Sequence, residues 1–202
     1  MANTSFFEQK TRLFDRWAPA YDCLLTTIFY QAIHRRLLSY VTLPDSAQVL
    51  DLGCGTGKLL HRLAEQYPHL QGLGLDLSPE MLYQARRQNQ HHPRLLFCLG
   101  NAEALPGARS QFDAVFNTIS FLHYPDPQRV FDEVARVLKA QGRFYLADYS
   151  SLWGSTRLGF TPGGLRFYSP AQREAFAHQS GLQCLGHHGV LGPVLLSIFQ
   201  AP

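Results

Sequence analysis

From residue 47 to residue 149 the chain alternates short apolar runs with amphipathic stretches, and this alternation constrains its fold more than any other feature. "AQVLDL" reads as a strand, "GKLLHRLAEQY" as a helix and "LQGLGLDL" as a second strand. Ser78 then caps a helix with Pro79 at its first position and Met81, Leu82 and Ala85 inside. "RLLFCLG" and "FDAVFN" follow as strands, "PQRVFDEVARVLKA" as a helix with Val130, Val134, Val137 and Leu138 facing inward, and "GRFYLADY" as a fifth strand. Strands separated by helices of about 10 to 15 residues form parallel β-α-β units. The expected class is α/β, an open doubly wound sheet with its ligand at the carboxyl ends of the strands.

The two flanks break this rhythm. Ser5 and Glu8 form a capping box for a first helix, whose Phe6, Leu13 and Trp17 share a face and which Pro19 ends or bends. A second helix is expected from about Asp22 to Val41, with Leu25, Ile28, Phe29 and Ala32 on one stripe, so residues 1–45 read as a helical N-terminal cap. After Tyr149, residues 150–168 are rich in glycine and aromatic residues without clear period and read as an irregular insertion over the binding face. Ser169, Pro170 and Gln172 cap a further helix. "GLQCLGHHGV" and "GPVLLSIFQ" lie too close for a crossover helix, so they are expected to close the sheet as an antiparallel hairpin. Residues 1–202 thus read as one domain with a seven-stranded, mostly parallel sheet, its last strand reversed.

Composition narrows the function. Lys plus Arg is 18 against 15 for Asp plus Glu, and no basic run stands out, which argues against a nucleic-acid partner and for small-molecule chemistry. No stretch of 18 apolar residues is present and the first residues lack the pattern of a signal peptide, so a soluble, cytoplasmic protein is expected. Cys23, Cys54, Cys98 and Cys184 are far apart, without a C-x-x-C pair, so neither a metal site nor a disulfide is expected and the thiols are expected to be buried. His91, His92, His187 and His188 read as solvated loop residues.

The stretch "VLDLGCGTGKLL", residues 49–60, carries the chemistry. A Walker loop would need glycine five positions before Gly57 and Ser or Thr after Lys58, but Leu52 and Leu59 stand there. A dinucleotide fingerprint needs G-x-G-x-x-G, whereas Gly53, Gly55 and Gly57 are spaced two and two. What remains is a strand bearing Asp51 before a glycine loop, with Asp76 at the end of the next strand. Glycines let backbone approach a ligand closely, and a terminal carboxylate can accept both hydroxyl protons of a ribose. With Lys58 as its one cation, the loop suits a ligand carrying an amino group and a positive sulfur better than one carrying phosphates.

The segment resembles the class I S-adenosylmethionine-dependent methyltransferases, in particular the group that includes the menaquinone and ubiquinone C-methyltransferases. "VLDLGCGTG" resembles their first motif, "GLDLSPEML" the ribose-binding turn, "GNAEALP" with "FDAVFN" the third and fourth strands, and "FLHYPDPQRVFDEVARVLKAQGRFYLADY" the helix and strand that follow. "FDRWAPAYD" is similar to the start of quinone methyltransferases, though the match is short.

The resemblance implies a Rossmann-like fold and a set of roles. Asp51, Gly53, Cys54, Gly55 and Gly57 line the methionine part of the cofactor. Asp76 holds the ribose hydroxyls, with Leu77 and Met81 against the adenine or simply in the core. Asn101, Ala102 and Glu103 grip the adenine amino group, with Asn101 where many members have Asp. Asn117 and Thr118 lie beside the sulfonium, and Tyr21 covers the cofactor's carboxylate.

The expected reaction is methyl transfer from S-adenosylmethionine, leaving S-adenosylhomocysteine, to a small apolar or aromatic acceptor, quinone-like or phenolic, with C- or O-methylation favoured. "NTIS" after the fourth strand departs from the Asn/Asp-Pro-Pro-Tyr/Phe signature of the amino-methylating members. His123, just past that strand, is placed as a general base or as a structural or positioning residue, with Tyr124, Tyr149 and Tyr168 around the same cavity or at the edge of the core. Phe6, Phe14, Trp17, Tyr21, Trp153, Phe160 and Phe167 are expected to form an aromatic lid. A catalytically silent binding or regulatory subunit is the alternative, and a dehydrogenase a weaker third.

Overall fold

A computed structural model describes residues 24–151, 156–158 and 165–202. The first expected helix, Tyr21 and the lid residues other than Phe167 lie outside these. In chain order the elements are α1 (Leu24–Leu38), β1 (Gln48–Leu52), α2 (Lys58–Gln66), β2 (Gln71–Asp76), α3 (Pro79–Gln88), β3 (Leu95–Leu99) and β4 (Phe112–Thr118). A 3-10 turn (Phe121–His123) leads to α4 (Pro127–Val137) and β5 (Leu138–Tyr149). Then come β6 (Thr156–Leu158), β7 (Leu165–Phe167), α5 (Pro170–Gln179), β8 (Gln183–Leu191) and β9 (Val194–Gln200).

Seven strands form one sheet in the order β3-β2-β1-β4-β5-β9-β8. The pairs from β3 to β5 are parallel, and β9 runs antiparallel to both β5 and β8. The strand order reverses at β1, between β2 and β4, which opens the crevice where ligands of such sheets bind.

Strand alternation sorts the core into two layers. Val49 in β1 and Phe116 in β4 pack with Ile33 and Leu37 of α1 and with Leu59, Leu60 and Leu63 of α2. Leu50, Leu52 and Val115, one residue out of phase, face the other way onto Val130, Phe131, Val134 and Val137 of α4. Each such side chain contributes about 1.5 to 3 kcal/mol when fully buried.

The helix starts follow the sequence signals. The Ser78 hydroxyl accepts the Met81 N–H at 3.1 Å, the Asp126 carboxylate accepts the Arg129 N–H at 3.1 Å, and Ser169 and Gln172 form the reciprocal box.

Four expectations need correction. The apolar stripe of α1 is not Ile28 and Ala32: Ile28 is 54% exposed, and the buried face is Ile33, His34 and Leu37, which puts a histidine inside the layer. The helix expected over residues 127–140 stops at Val137, because Leu138 already pairs with Phe112 and a left-handed Gln141 (φ 62°) re-sets the register before Ala114 pairs with Arg143. The insertion contains a short antiparallel pair, β6 with β7, whose backbone groups satisfy one another. His187 and His188 are strand residues of β8: the His188 ring stacks on Tyr40 at 4.4 Å, and His187 is hydrogen-bonded on both nitrogens.

Candidate active site

Sheet phase decides what faces the crevice. Asp51 shares the face of Val49 and Thr118 that of Phe116, so both point to the α1–α2 side at the carboxyl ends of neighbouring strands. There they line a small open pocket with Tyr30 and His34 of α1, and with Cys54 and Lys58 at the glycine loop. Thr118 Oγ1 is buried without a hydrogen-bond partner among the described residues.

The loop between β1 and α2 turns on left-handed glycines. At Gly53 (φ 65°) a Cβ would lie 2.4 Å from Ser120 Oγ, and at Gly57 (φ 80°) 2.7 Å from the Phe97 ring, so both the turn and the space demand glycine. The Gly53 and Cys54 N–H groups donate to Leu75 O at 2.8 and 3.0 Å, stitching the loop to β2. Asp76 holds the other side: its Oδ2 accepts the Gly55 N–H at 2.8 Å and its Oδ1 the Ser78 N–H at 2.9 Å. A carboxylate oxygen can accept more than one hydrogen bond, so bracing the loop and accepting a ribose hydroxyl are compatible roles for this residue type.

Asp51 is 2% exposed, and burial, then the Asp76 charge, push its carboxyl well above the usual range. The same two influences, burial first, raise the Cys54 thiol. Such a pocket favours a cation: a positive group beside Asp51 would offset both causes at once.

The remaining expected residues divide. Asn117 points to the opposite face from Thr118 and supports the loop from below. Its Nδ2 lies 3.0 Å from Leu52 O, 2.7 Å from Ser120 Oγ and 2.9 Å from Tyr124 Oη, while its buried Oδ1 has no partner among the described residues. Asn101 Oδ1 accepts the Glu103 N–H at 2.9 Å, and Ala102 is buried. The Glu103 carboxyl, raised chiefly by burial, turns toward the start of α4, where Oε1 accepts the Asp126 N–H at 2.9 Å. Met81 is buried and Leu77 half-buried at the start of α3. His123 ends the 3-10 turn, half-buried, with its N–H donating to Ser120 O at 3.0 Å, and it does not line the pocket of Asp51 and Thr118.

Two of the expected cavity tyrosines belong to the core instead. Tyr124 lies in the Asn117 network, where burial raises its hydroxyl, and Tyr168 packs edge-on to Phe121 at 5.3 Å. Tyr149 stands half-buried beside Phe167, their ring centroids 6.1 Å apart.

Sequence reasoning missed His34 and Arg173. His34 is 5% exposed; its Nδ1 takes a hydrogen bond from Arg62 at 2.9 Å, and burial, then the Arg62 and Lys58 charges, hold it down to about 3. Arg173 of α5 is fully buried: Nη2 donates to Asp148 O and Tyr149 O at 3.0 and 2.9 Å, and Nη1 to Leu195 O and Ser197 Oγ at 3.0 and 3.1 Å. It thereby fixes the carboxyl end of β5. Burial lowers Arg173 to about 10 and raises Asp148 to about 6.

Residues 49–142 match the family model described as a methyltransferase domain. The chain is 34% identical over 140 residues to the demethylmenaquinone methyltransferase of Thermotoga maritima, covering 68% of this chain and 60% of that protein. It is 30% identical to the malonyl-[acyl-carrier protein] O-methyltransferase of Nitrosospira multiformis over 96% of this chain and 69% of that one. The chain belongs to the class I S-adenosylmethionine-dependent methyltransferases. A methyltransferase chain in the complex with the Haloferax volcanii Trm112 methyltransferase activator matches the fold of this family member with a TM-score of 0.81. It does so at 24% identity over 94% of this chain and 97% of that one. The first curated relatives are matched over only 50 to 63% of their own length. The segment matched by the family model carries the glycine loop, Asp76 and Thr118, whereas Tyr30 and His34 of the pocket lie before it.

Proposed function

We propose that the chain transfers a methyl group from S-adenosylmethionine to a small aromatic acceptor of quinol or phenol type. The observation that carries the reading is the pair Asp51 and Asp76 at the switch point of the sheet, beside a loop that turns on left-handed glycines, with Asp51 raised first by burial and then by the Asp76 charge. Asp51 and the glycine loop would receive the methionine part, Asp76 the ribose, and Leu77, Met81, Asn101 and Ala102 the adenine. The unpartnered Thr118 Oγ1 points to where the sulfonium would lie. Glu103 would act one step back, by fixing the start of α4.

When bound, S-adenosylmethionine supplies an electrophilic methyl and its leaving group, so the protein's task is alignment and exclusion of water. A phenolic or carbon acceptor must also lose a proton, and His123 is our candidate base. Tyr149 and Phe167 offer an aromatic wall for a flat acceptor near the end of β5.

The similar proteins named above act, by their names, on demethylmenaquinone and on malonyl-acyl-carrier protein. Methyl-labelled S-adenosylmethionine supplied with a reduced naphthoquinone and, separately, with a malonyl-loaded carrier protein tests the proposal. Label in the quinol supports it. Label in the malonyl ester alone moves the acceptor to the carboxylate class, and label in neither acceptor refutes both classes.

A further inference from the structure

On the opposite flank from the pocket, α5 and the edge strand β8 bring together three side chains of different chemistry. His187 Nε2 lies 2.9 Å from Glu174 Oε1 and 3.7 Å from Cys184 Sγ, and all three donor atoms fall within 4.8 Å of one another. In an unbroken strand Cys184 and His187, three positions apart, would face opposite sides. A bulge cancels that: Cys184 pairs with Phe199, yet Gly186 pairs with the next partner residue, Ile198, so Leu185 is extra and the phase flips. Gly186 carries the distortion at φ 140°, a region that other residues rarely adopt. Both side chains then stand on the α5 face, opposite Phe199 and Ser197. Bulges of this kind re-aim side chains at sites.

We propose that Glu174, Cys184 and His187 form a binding site for a divalent transition-metal ion of the zinc type. Metal–sulfur and metal–nitrogen bonds of roughly 2.3 and 2.05 Å at a tetrahedral angle place S and N about 3.6 Å apart, close to the 3.7 Å found. The His–Glu separation of 2.9 Å is that of a hydrogen bond and must widen by about 0.5 Å to admit an ion. Glu174, 52% exposed, is free to make that adjustment. A thiolate, a carboxylate and a neutral imidazole balance a divalent charge, leaving the fourth position for water.

The support behind His187 fits ligation. Its Nδ1 lies 2.9 Å from Ser197 Oγ, which also accepts from the buried Arg173 at 3.1 Å. Donation from Nδ1–H to Ser197 leaves the Nε2 lone pair for the ion, the arrangement that orients metal-bound histidines. Coordination releases the Cys184 thiol proton to solvent and ties α5 to the β8–β9 hairpin.

The test uses the full chain, reduced with a phosphine and stripped of metal, titrated with zinc against a chromophoric chelator and with cobalt for its spectrum. The proposal expects one equivalent per chain, a thiolate-to-cobalt charge-transfer band, and affinities lowered at least about tenfold in Cys184→Ser, His187→Gln and Glu174→Gln. Cys98→Ser should bind as the parent does. No saturation near one equivalent at micromolar protein, a cobalt complex without the thiolate band, or full affinity in Cys184→Ser would overturn it. Should a β8 variant fail to fold, the parent's cobalt spectrum and the exposed Glu174→Gln still decide.

Discussion

Replacing Gly53 with alanine perturbs the turn on which the site is built. The residue sits at φ 65°, where a side chain costs about 1 to 2 kcal/mol. Its new Cβ would also stand 2.4 Å from Ser120 Oγ and 2.6 Å from Ser120 Cβ, so Ser120 must move. Moving it breaks the hydroxyl's bonds to Leu52 O (3.1 Å), Asn117 Nδ2 (2.7 Å) and Tyr124 Oη (2.9 Å), each worth about 1 kcal/mol. The expected loss is about 4 to 5 kcal/mol. Gly192→Ala is the control, because φ there is 53° but nothing lies within 4 Å, so only the backbone part, about 1 to 2 kcal/mol, remains. Urea titrations of both variants isolate the steric part, and because Ser120→Gly removes the same hydroxyl bonds, most of its own cost should vanish in the Gly53→Ala background. Equal stability of the two single variants, or a fully additive Ser120→Gly cost, would refute the reasoning.

Three further perturbations probe other parts of the account. His34 is held near 3 in the folded chain against about 6.5 when unfolded, so the unfolded state binds the extra proton between those values. Stability should therefore be full above pH 6.5 and fall as pH drops toward 3, and His34→Gln should flatten that limb in denaturation curves taken across the range. Arg173→Met removes hydrogen bonds to three carbonyls and Ser197, and should cost about 3 kcal/mol or more in urea unfolding; a loss below about 1 kcal/mol would contradict its structural role. His123→Gln should lower kcat by about 10²- to 10⁴-fold with unchanged cofactor affinity if His123 takes the acceptor's proton, whereas a higher acceptor KM at constant kcat would assign it to positioning.

What the sequence made legible are the features encoded locally. The loop glycines, the Ser78–Pro79 and Ser169–Gln172 caps and the terminal hairpin each lie within a few residues of one another, and the structure holds them where the spacing put them. His34 was not legible, because its partner Arg62 is 28 positions away and a histidine on an amphipathic helix gives no sign of which side it takes. Arg173 was hidden for the same reason: its acceptors are backbone carbonyls of two strands, which have no residue type to read. Cys184 was read as an isolated buried thiol and His187 as a solvated loop residue, because no short ligand spacing joins them, and only the bulge at Leu185 and Gly186 brings their side chains to one face. In α1 the apolar pattern misled, since exposed Ile28 outscores buried His34 on hydrophobicity while packing chose the reverse.

Calorimetry with the product S-adenosylhomocysteine tests most directly whether the carboxylates and glycine loop at the switch point hold S-adenosylmethionine. One equivalent should bind per chain, with NAD and ATP failing to compete. Asp76→Ala, shown by circular dichroism to be folded, should lose roughly 1.5 to 3 kcal/mol of affinity with the ribose contacts gone. Absence of binding, displacement by NAD, or an unchanged affinity in folded Asp76→Ala would contradict the assignment.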